Sequence, residues 1–376
     1  MGLALTGARV FDGDTIRSGL AVVIDGARIT AVVPESEIAA GVEKRDLGGG
    51  LLAPGFIDVQ VNGGGGALLN DAPTIETVRA IAHSHRAFGT TGLLPTVITD
   101  APDILAQAIA AVKAARAEGV PGILGIHIEG PFLDVARKGA HDPRFIRAMT
   151  EADVQQIGAA RCGTVMLTLA PNRVAPSAIA SLVKNNVLVS LGHAEATALE
   201  AAQALAAGAT AFTHLFNAMS QMTGREPGMV GAALADRSSF CSLIADGHHV
   251  GDAAMTVALA AKPPDRMMLI TDAMPSAAGG PDSFALQGRT VRRAGGRLEL
   301  DDGTLAGSNL TMDEAVCYCV GRLGVRLEDA LRMAALNPAA FLGHGHELGR
   351  IQPGYLASLV HLGDDLRVRG TWIGGG

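Results

Sequence analysis

Over the first 50 residues, apolar and polar positions alternate in short stretches. Leu3, Leu5, Ala8 and Val10, then Ala21 to Ile24, then Ile29 to Val33 read as strands, with Asp12-Gly13 and Asp25-Gly26 as turns. Gly48-Gly49-Gly50 ends that pattern. From Leu51, short apolar runs at 51–61, 92–98, 122–128, 164–170, 187–191, 211–216, 241–245 and 267–271 alternate with helix-like stretches. The helical stretches are 74–88, 102–118, 150–160, 176–185, 197–207 and 252–261. Thr197 and Glu200 have the spacing of a capping box, and Gly119 and Gly208 fall where helices end. Eight buried strands alternating with helices predict an α/β protein built on a (β/α)8 TIM-like barrel. A doubly wound sheet is the alternative, but no G-x-G-x-x-G follows the first strand.

After the eighth run, 284–306 reads as strands joined by turns at Gly295-Gly296 and Asp302-Gly303. Two helices follow, one opened by Thr311-x-x-Glu314 and one over 327–341, before a strand-like tail at 348–373. The expected organisation is a barrel over 51–345. Segments 1–50 and 346–376 form the two parts of a small discontinuous β-sandwich domain.

Composition narrows the function. The 376 residues carry 30 basic and 37 acidic side chains, a net charge of −7, and are 48% hydrophobic. That excludes disorder and leaves no basic surplus for nucleic acid. No apolar run reaches the 18 residues of a membrane span, and no signal-peptide pattern opens the chain. Cys162, Cys241, Cys317 and Cys319 form no C-x-x-C pair and read as free thiols in a reducing cytoplasm.

Chemistry in a β/α barrel sits at the C-terminal ends of the strands. The third run leads to Glu129, the fifth to His193, and the sixth carries His214 and Asn217. The seventh leads to Asp246, His248 and His249, and the eighth to Asp272. A lone His or Asp at a strand end is often a surface group or a helix cap. Five ends carrying such groups together point to a site. Two His and one carboxylate from neighbouring strands suit Zn²⁺ and leave a position for water, with Asp272 taking that water's proton.

The segments Pro54-Gly-Phe-Ile-Asp-Val-Gln-Val-Asn62, His127-Ile-Glu-Gly-Pro-Phe132, Lys138-Gly-Ala-His141, Thr213-His-Leu-Phe-Asn-Ala-Met219, Thr223-Gly-Arg-Glu-Pro-Gly228 and Leu305-Ala-Gly-Ser-Asn-Leu-Thr-Met312 stand in order along the chain. With Leu191-Gly-His193, the Asp-Gly-His-His stretch and Thr271-Asp272, they resemble the amidohydrolase superfamily and, within it, the N-acetylglucosamine-6-phosphate deacetylase family. The resemblance implies hydrolysis of N-acetyl-D-glucosamine 6-phosphate to D-glucosamine 6-phosphate and acetate. It implies Glu129, His193 and His214 as metal ligands, Asp272 as general base and acid, and His141 as the group polarising the acetyl carbonyl. Arg225 and His249 are implied as phosphate contacts. Ala140, Asn217, Ala218, Ala306, Gly307 and Ser308 are implied around the sugar and acetyl group. A homodimer sharing phosphate contacts across its interface is also implied.

Most amidohydrolases carry His-x-His after the first strand, where this chain has Gln60-Val61-Asn62. Amides are poor transition-metal ligands beside imidazole, so one divalent metal per subunit is expected, Zn²⁺ first, with Fe²⁺, Co²⁺ or Mn²⁺ as alternatives. The loop 133–140 suits either a mobile lid or a fixed surface loop. Another amidohydrolase activity, such as D-amino-acid deacylation, and a non-catalytic barrel scaffold are the competing readings.

Overall fold

The structure, a computed structural model, describes residues 2–376. Eight parallel strands follow one another in chain order around a single sheet: β1 (Phe56–Val61), β2 (Thr90–Ile98), β3 (Gly125–Glu129), β4 (Thr164–Leu169), β5 (Val187–Leu191), β6 (Ala211–Phe212), β7 (Phe240–Ile244) and β8 (Met267–Ile270). Each falls within or overlaps one of the eight apolar runs. The runs are continuous because these strands are buried on both faces. The ring closes just beyond β8. There the Asp272 N–H donates to the Gln60 carbonyl at 3.0 Å and the Asn62 N–H to the Ala273 carbonyl at 2.9 Å. This is the expected barrel.

Helices α1 (Ile75–Arg86), α2 (Pro102–Ala117), α3 (Glu151–Gly158), α4 (Pro176–Lys184), α5 (Ala198–Ala206), α6 (Gly228–Ala235) and α7 (Asp252–Ala261) fill the crossovers. The Thr197–Glu200 capping box opens α5 as read from the sequence. Helix α6 was not anticipated. Six of its eight residues are buried, so it shows no polar face and no 3.6-residue period. The expected helix over 327–341 is present but contains a π-helical stretch at Arg332–Leu336, immediately before Asn337-Pro338. Proline has no N–H to continue the regular ladder, so the ladder shifts there.

Two further sheets sit at the chain ends. One orders the strands Arg28–Pro34, Leu20–Asp25, Leu3–Thr6 and Glu43–Asp46. The other orders Val368–Trp372, Leu359–Leu362, Leu51–Pro54, Arg9–Phe11 and Ile16–Arg17. Leu5, Val22 and Ile29 of the first pack with Val10, Leu52, Leu359 and Trp372 of the second around a separate core. The apolar run at 51–61 therefore serves two sheets. Leu51–Pro54 pairs with Leu359–Leu362, and only Phe56–Val61 belongs to the barrel. A four-stranded antiparallel sheet formed by Ser283–Leu286, Arg289–Ala294, Arg297–Leu300 and Leu305–Ser308 stands beside the barrel mouth.

Candidate active site

Glu129 is the last residue of β3, while His193, His214 and Asp272 each stand two residues beyond β5, β6 and β8. All three of these have positive φ, at 49°, 36° and 52°. For residues with a Cβ this left-handed conformation costs on the order of 1–3 kcal/mol each, and it persists only where the surroundings enforce it. Here it turns each side chain over the barrel mouth.

The side chains converge. His193 Nε2 and His214 Nε2 lie 3.2 and 2.9 Å from Glu129 Oε1 and 3.0 Å from each other. Bond lengths of about 2.0–2.2 Å around a tetrahedral Zn²⁺ place ligand atoms about 3.3 Å apart, so this triangle has the size of one metal's ligand face. The His193 tautomer suits it too. His193 Nδ1 is 2.9 Å from the Arg137 carbonyl, which can only accept, so the proton is on Nδ1 and a lone pair faces the centre from Nε2. The residues present fit a divalent cation.

Opposite this triangle the chemistry reverses. Gln60 Nε2 donates to Glu129 Oε1 at 3.0 Å and to Asp272 Oδ1 at 3.1 Å, and Asn62 Nδ2 donates to Asp272 Oδ1 at 2.6 Å. Carboxylates demand N–H donors, so both amides turn their nitrogens inward. That is the wrong end for binding a cation. It also leaves Oδ2 of Asp272 as the oxygen without an amide donor.

The triangle, Asp272 and Asn62 line one cavity of about 400 Å³. Glu129, His193, His214, Asp272, His141, Ala140, Asn217, Ala218, His249, Ala306 and Gly307 all face it. Two implied residues do not. Arg225 lies in the exposed loop 221–227, outside the cavity. Ser308 is buried, with its N–H given to the Asp272 carbonyl and its hydroxyl to the Thr271 carbonyl. His248 is exposed and away from the cavity, whereas His249 Nδ1 lies 2.7 Å from Asp246 Oδ2 and its ring faces inward.

Sequence reasoning missed Arg137 and the apolar wall of Ile98, Met274, Leu286 and Leu305. Leu286 and Leu305 of this wall come from the sheet beside the mouth, whose placement no local pattern reveals. The loop 133–140 is anchored rather than free. The Asp134 carboxylate takes Asn172 Nδ2 at 2.6 Å and Arg173 Nη2 at 2.9 Å, and its N–H bonds the His193 carbonyl. Arg137 pairs with Glu195 while its carbonyl orients His193.

A family model described as the Amidohydrolase family matches residues 51–376, and one described as the NagA composite domain matches residues 3–52. The chain belongs to the amidohydrolase family. A curated relative from Shewanella sp. (strain ANA-3), named N-acetylgalactosamine-6-phosphate deacetylase, is 44% identical over 88% of this chain and 83% of its own length. The crystal structure of N-acetylglucosamine-6-phosphate deacetylase from Pasteurella multocida superposes with a TM-score of 0.97 at 34% identity, covering 100% of this chain and 99% of that one. A mutant of the N-acetyl-D-glucosamine-6-phosphate deacetylase from Mycobacterium smegmatis, in complex with N-acetyl-D-glucosamine 6-phosphate, superposes at 0.92 with 32% identity, covering 100% and 98%.

In this amidohydrolase mouth, burial and local charge separate the titrating groups. Burial would lift the Glu129 carboxyl, but hydrogen bonds from His193 and His214 outweigh it and hold Glu129 well below the usual range. Burial, reinforced by the Glu129 charge, pushes Asp272 up to about 6. Burial, with His193 beside it, pushes His141 down to about 3, so its imidazole is neutral. An amidohydrolase mouth with one carboxylate locked ionised and another poised near neutrality has the separation that acid–base chemistry needs.

Proposed function

We propose that the chain is a metal-dependent deacetylase that converts N-acetyl-D-glucosamine 6-phosphate to D-glucosamine 6-phosphate and acetate, in amino-sugar catabolism and cell-wall recycling in the cytoplasm. The observation that carries this reading is the cavity in which the Glu129–His193–His214 triangle faces Asp272. We take the metal to be a single Zn²⁺ held by those three residues. When bound, it would lower the pKa of a water and polarise the acetyl carbonyl.

The chain's own residues do the rest. Asp272 Oδ1 is held by Gln60 and Asn62, so Oδ2 receives the water's proton as the C–O bond forms at the acetamide carbon. The neutral His141 imidazole presents an N–H to the developing oxyanion. Asp272 Oδ2 then gives the proton to the amine nitrogen, the C–N bond breaks, and acetate and the free amino sugar leave. His249 meets the phosphate from inside the cavity. Arg225, exposed and outside this chain's own cavity, supports a homodimer in which each subunit supplies a phosphate contact to the other.

The test is acetate release by purified, zinc-loaded protein from N-acetylglucosamine 6-phosphate, run against unphosphorylated N-acetylglucosamine. Turnover of the phosphorylated sugar, abolished by chelation, is expected. No turnover of it overturns the reading. The 44% identity to the Shewanella N-acetylgalactosamine-6-phosphate deacetylase favours a second reading, in which the C4 epimer is the better substrate. A ratio of kcat/KM for the two hexosamine phosphates decides between them.

A further inference from the structure

The cavity does not account for every buried ionisable group near it. Asp58 lies in the middle of β1, fully buried and absent from the cavity wall. Its carboxylate accepts from the Thr271 hydroxyl at 2.5 Å, from the Thr271 N–H at 3.3 Å and from the Gln60 N–H at 3.2 Å. We propose that Asp58 is a positioning residue that sets the aim of the Asp272 carboxylate by pinning Thr271. This rests on the assignment of Asp272 as general base above.

The bonds around Asp272 show how the pinning works. Because the Thr271 hydroxyl donates to Asp58, its lone pair is free to accept the Ala273 N–H at 3.2 Å. One carboxylate thereby holds the peptide entering Thr271 and, through the Thr271 hydroxyl, the peptide leaving Asp272. From the opposite side, the Ser308 hydroxyl donates to the Thr271 carbonyl at 2.5 Å and the Ser308 N–H to the Asp272 carbonyl at 2.9 Å. Gly307 permits that approach, since a Cβ there would sit 2.8 Å from the Asp272 carbonyl oxygen. Asp272 is thus gripped in its left-handed conformation between β1 and the Leu305–Ser308 strand. A buried carboxylate is a costly way to fill space, and an apolar side chain would serve packing alone. What a carboxylate adds is acceptors on both oxygens, which fix the direction of the Thr271 hydroxyl.

The chemistry also ranks substitutions. Asp58→Asn would keep one oxygen for the two backbone donors but turn an N–H toward the Thr271 hydroxyl, which then accepts there and loses the acceptor that fixed its proton. Thr271→Val keeps the shape and removes the hydroxyl, whereas Thr271→Ser keeps the hydroxyl. Misplacing a reacting group by about 1 Å costs up to about 10²-fold in rate.

The experiment measures kcat, KM and metal content for Asp58→Ala, Asp58→Asn, Thr271→Val and Thr271→Ser on N-acetylglucosamine 6-phosphate. Asp58→Ala is expected to lower kcat by about 10²-fold, and Asp58→Asn and Thr271→Val by about 10-fold. KM should stay within about 3-fold and the metal at wild-type stoichiometry, with Thr271→Ser restoring near-wild-type kcat. Should Asp58→Ala not fold, Asp58→Asn and the Thr271 pair decide. The proposal is overturned if Thr271→Val and Asp58→Asn both turn over within about 3-fold of wild type, or if their losses appear in KM or metal content instead. A wild-type protein with no deacetylase activity would sink the functional reading instead. Positioning would then be judged from the Asp272 φ in a crystal structure of Thr271→Val, where an unchanged angle counts against it.

Discussion

Asp272 and Asp153 are both buried aspartates of one barrel, yet they are held at opposite ends of the carboxylate range. At the mouth, burial and the Glu129 charge push Asp272 up to about 6. At the start of α3, burial is outweighed by the Arg147 guanidinium and by the hydroxyl and N–H of Thr150, and Asp153 is pulled down to about 2. Arg147 meets Asp153 through both nitrogens, at 2.5 and 2.7 Å, and the Thr150–Asp153 capping box closes around it. The outer shell gives its carboxylate a cation. The mouth's own side chains give Asp272 neutral amide donors and the like charge of Glu129, and burial together with that charge pushes it upward. If that contrast holds, mouth substitutions damage turnover with the fold intact, and shell substitutions do the reverse.

The largest effect should come from the ligand triangle. His193→Ala, His214→Ala or Glu129→Gln should lose the metal and bring activity to background, while the circular dichroism of the folded protein is retained. Asp272→Asn sharpens the contrast within the mouth. It should keep wild-type metal content and lose about 10²–10⁴-fold in kcat, the usual share of general acid–base catalysis. Metal analysis beside stopped-time assays separates the two cases, and an Asp272→Asn protein lacking metal would merge them.

A step smaller are the phosphate contacts. Arg225→Ala and His249→Ala should each raise KM for the phosphorylated sugar about 10–100-fold, since a hydrogen bond to a charged group contributes about 1.5–3 kcal/mol. Equal changes with the unphosphorylated sugar would remove both residues from that role. For Arg225 a mixing experiment adds a check. Arg225→Ala combined with an Asp272→Asn partner should regain activity only if subunits share their sites.

How much of this was legible in the sequence follows the same divide. The barrel strands could be read because burial on both faces makes each a continuous apolar run, and the strand-end His, Glu and Asp then stood out against them. Helix α6 could not be read, because a helix buried all round has no period. The split at Gly55 was equally silent, since Leu51–Pro54 and Phe56–Val61 are both wholly buried and only their pairing partners distinguish them. The inward amides of Gln60 and Asn62 were read as an absence of metal ligands. Their positive task, donating to Asp272 and Glu129, depends on barrel closure, as does the link from Asp58 to Thr271 more than 200 residues away. Contacts between the first and last strands of a ring leave no local trace.

The smallest prediction tests the shell. The folded pKa of Asp153 lies below its unfolded value of 3.8, so its ionised form is the one the fold favours. Its stabilisation is therefore complete above about pH 4 and is lost as pH falls toward about 2. After solvent screening it contributes about 1 kcal/mol at pH 7, so Asp153→Asn should lower the melting temperature by about 1–2 °C there. The gap between wild type and variant should narrow between pH 4 and pH 3, because protonated Asp153 has lost the same charge that Asn lacks. Over this series kcat and KM at pH 7 should match wild type, since Arg147, Thr150 and Asp153 lie outside the cavity. A variant equally stable at pH 7, or one whose deficit grows as the pH falls, would mean that the Arg147 pairing does not stabilise α3, and the contrast with Asp272 would lose its structural half.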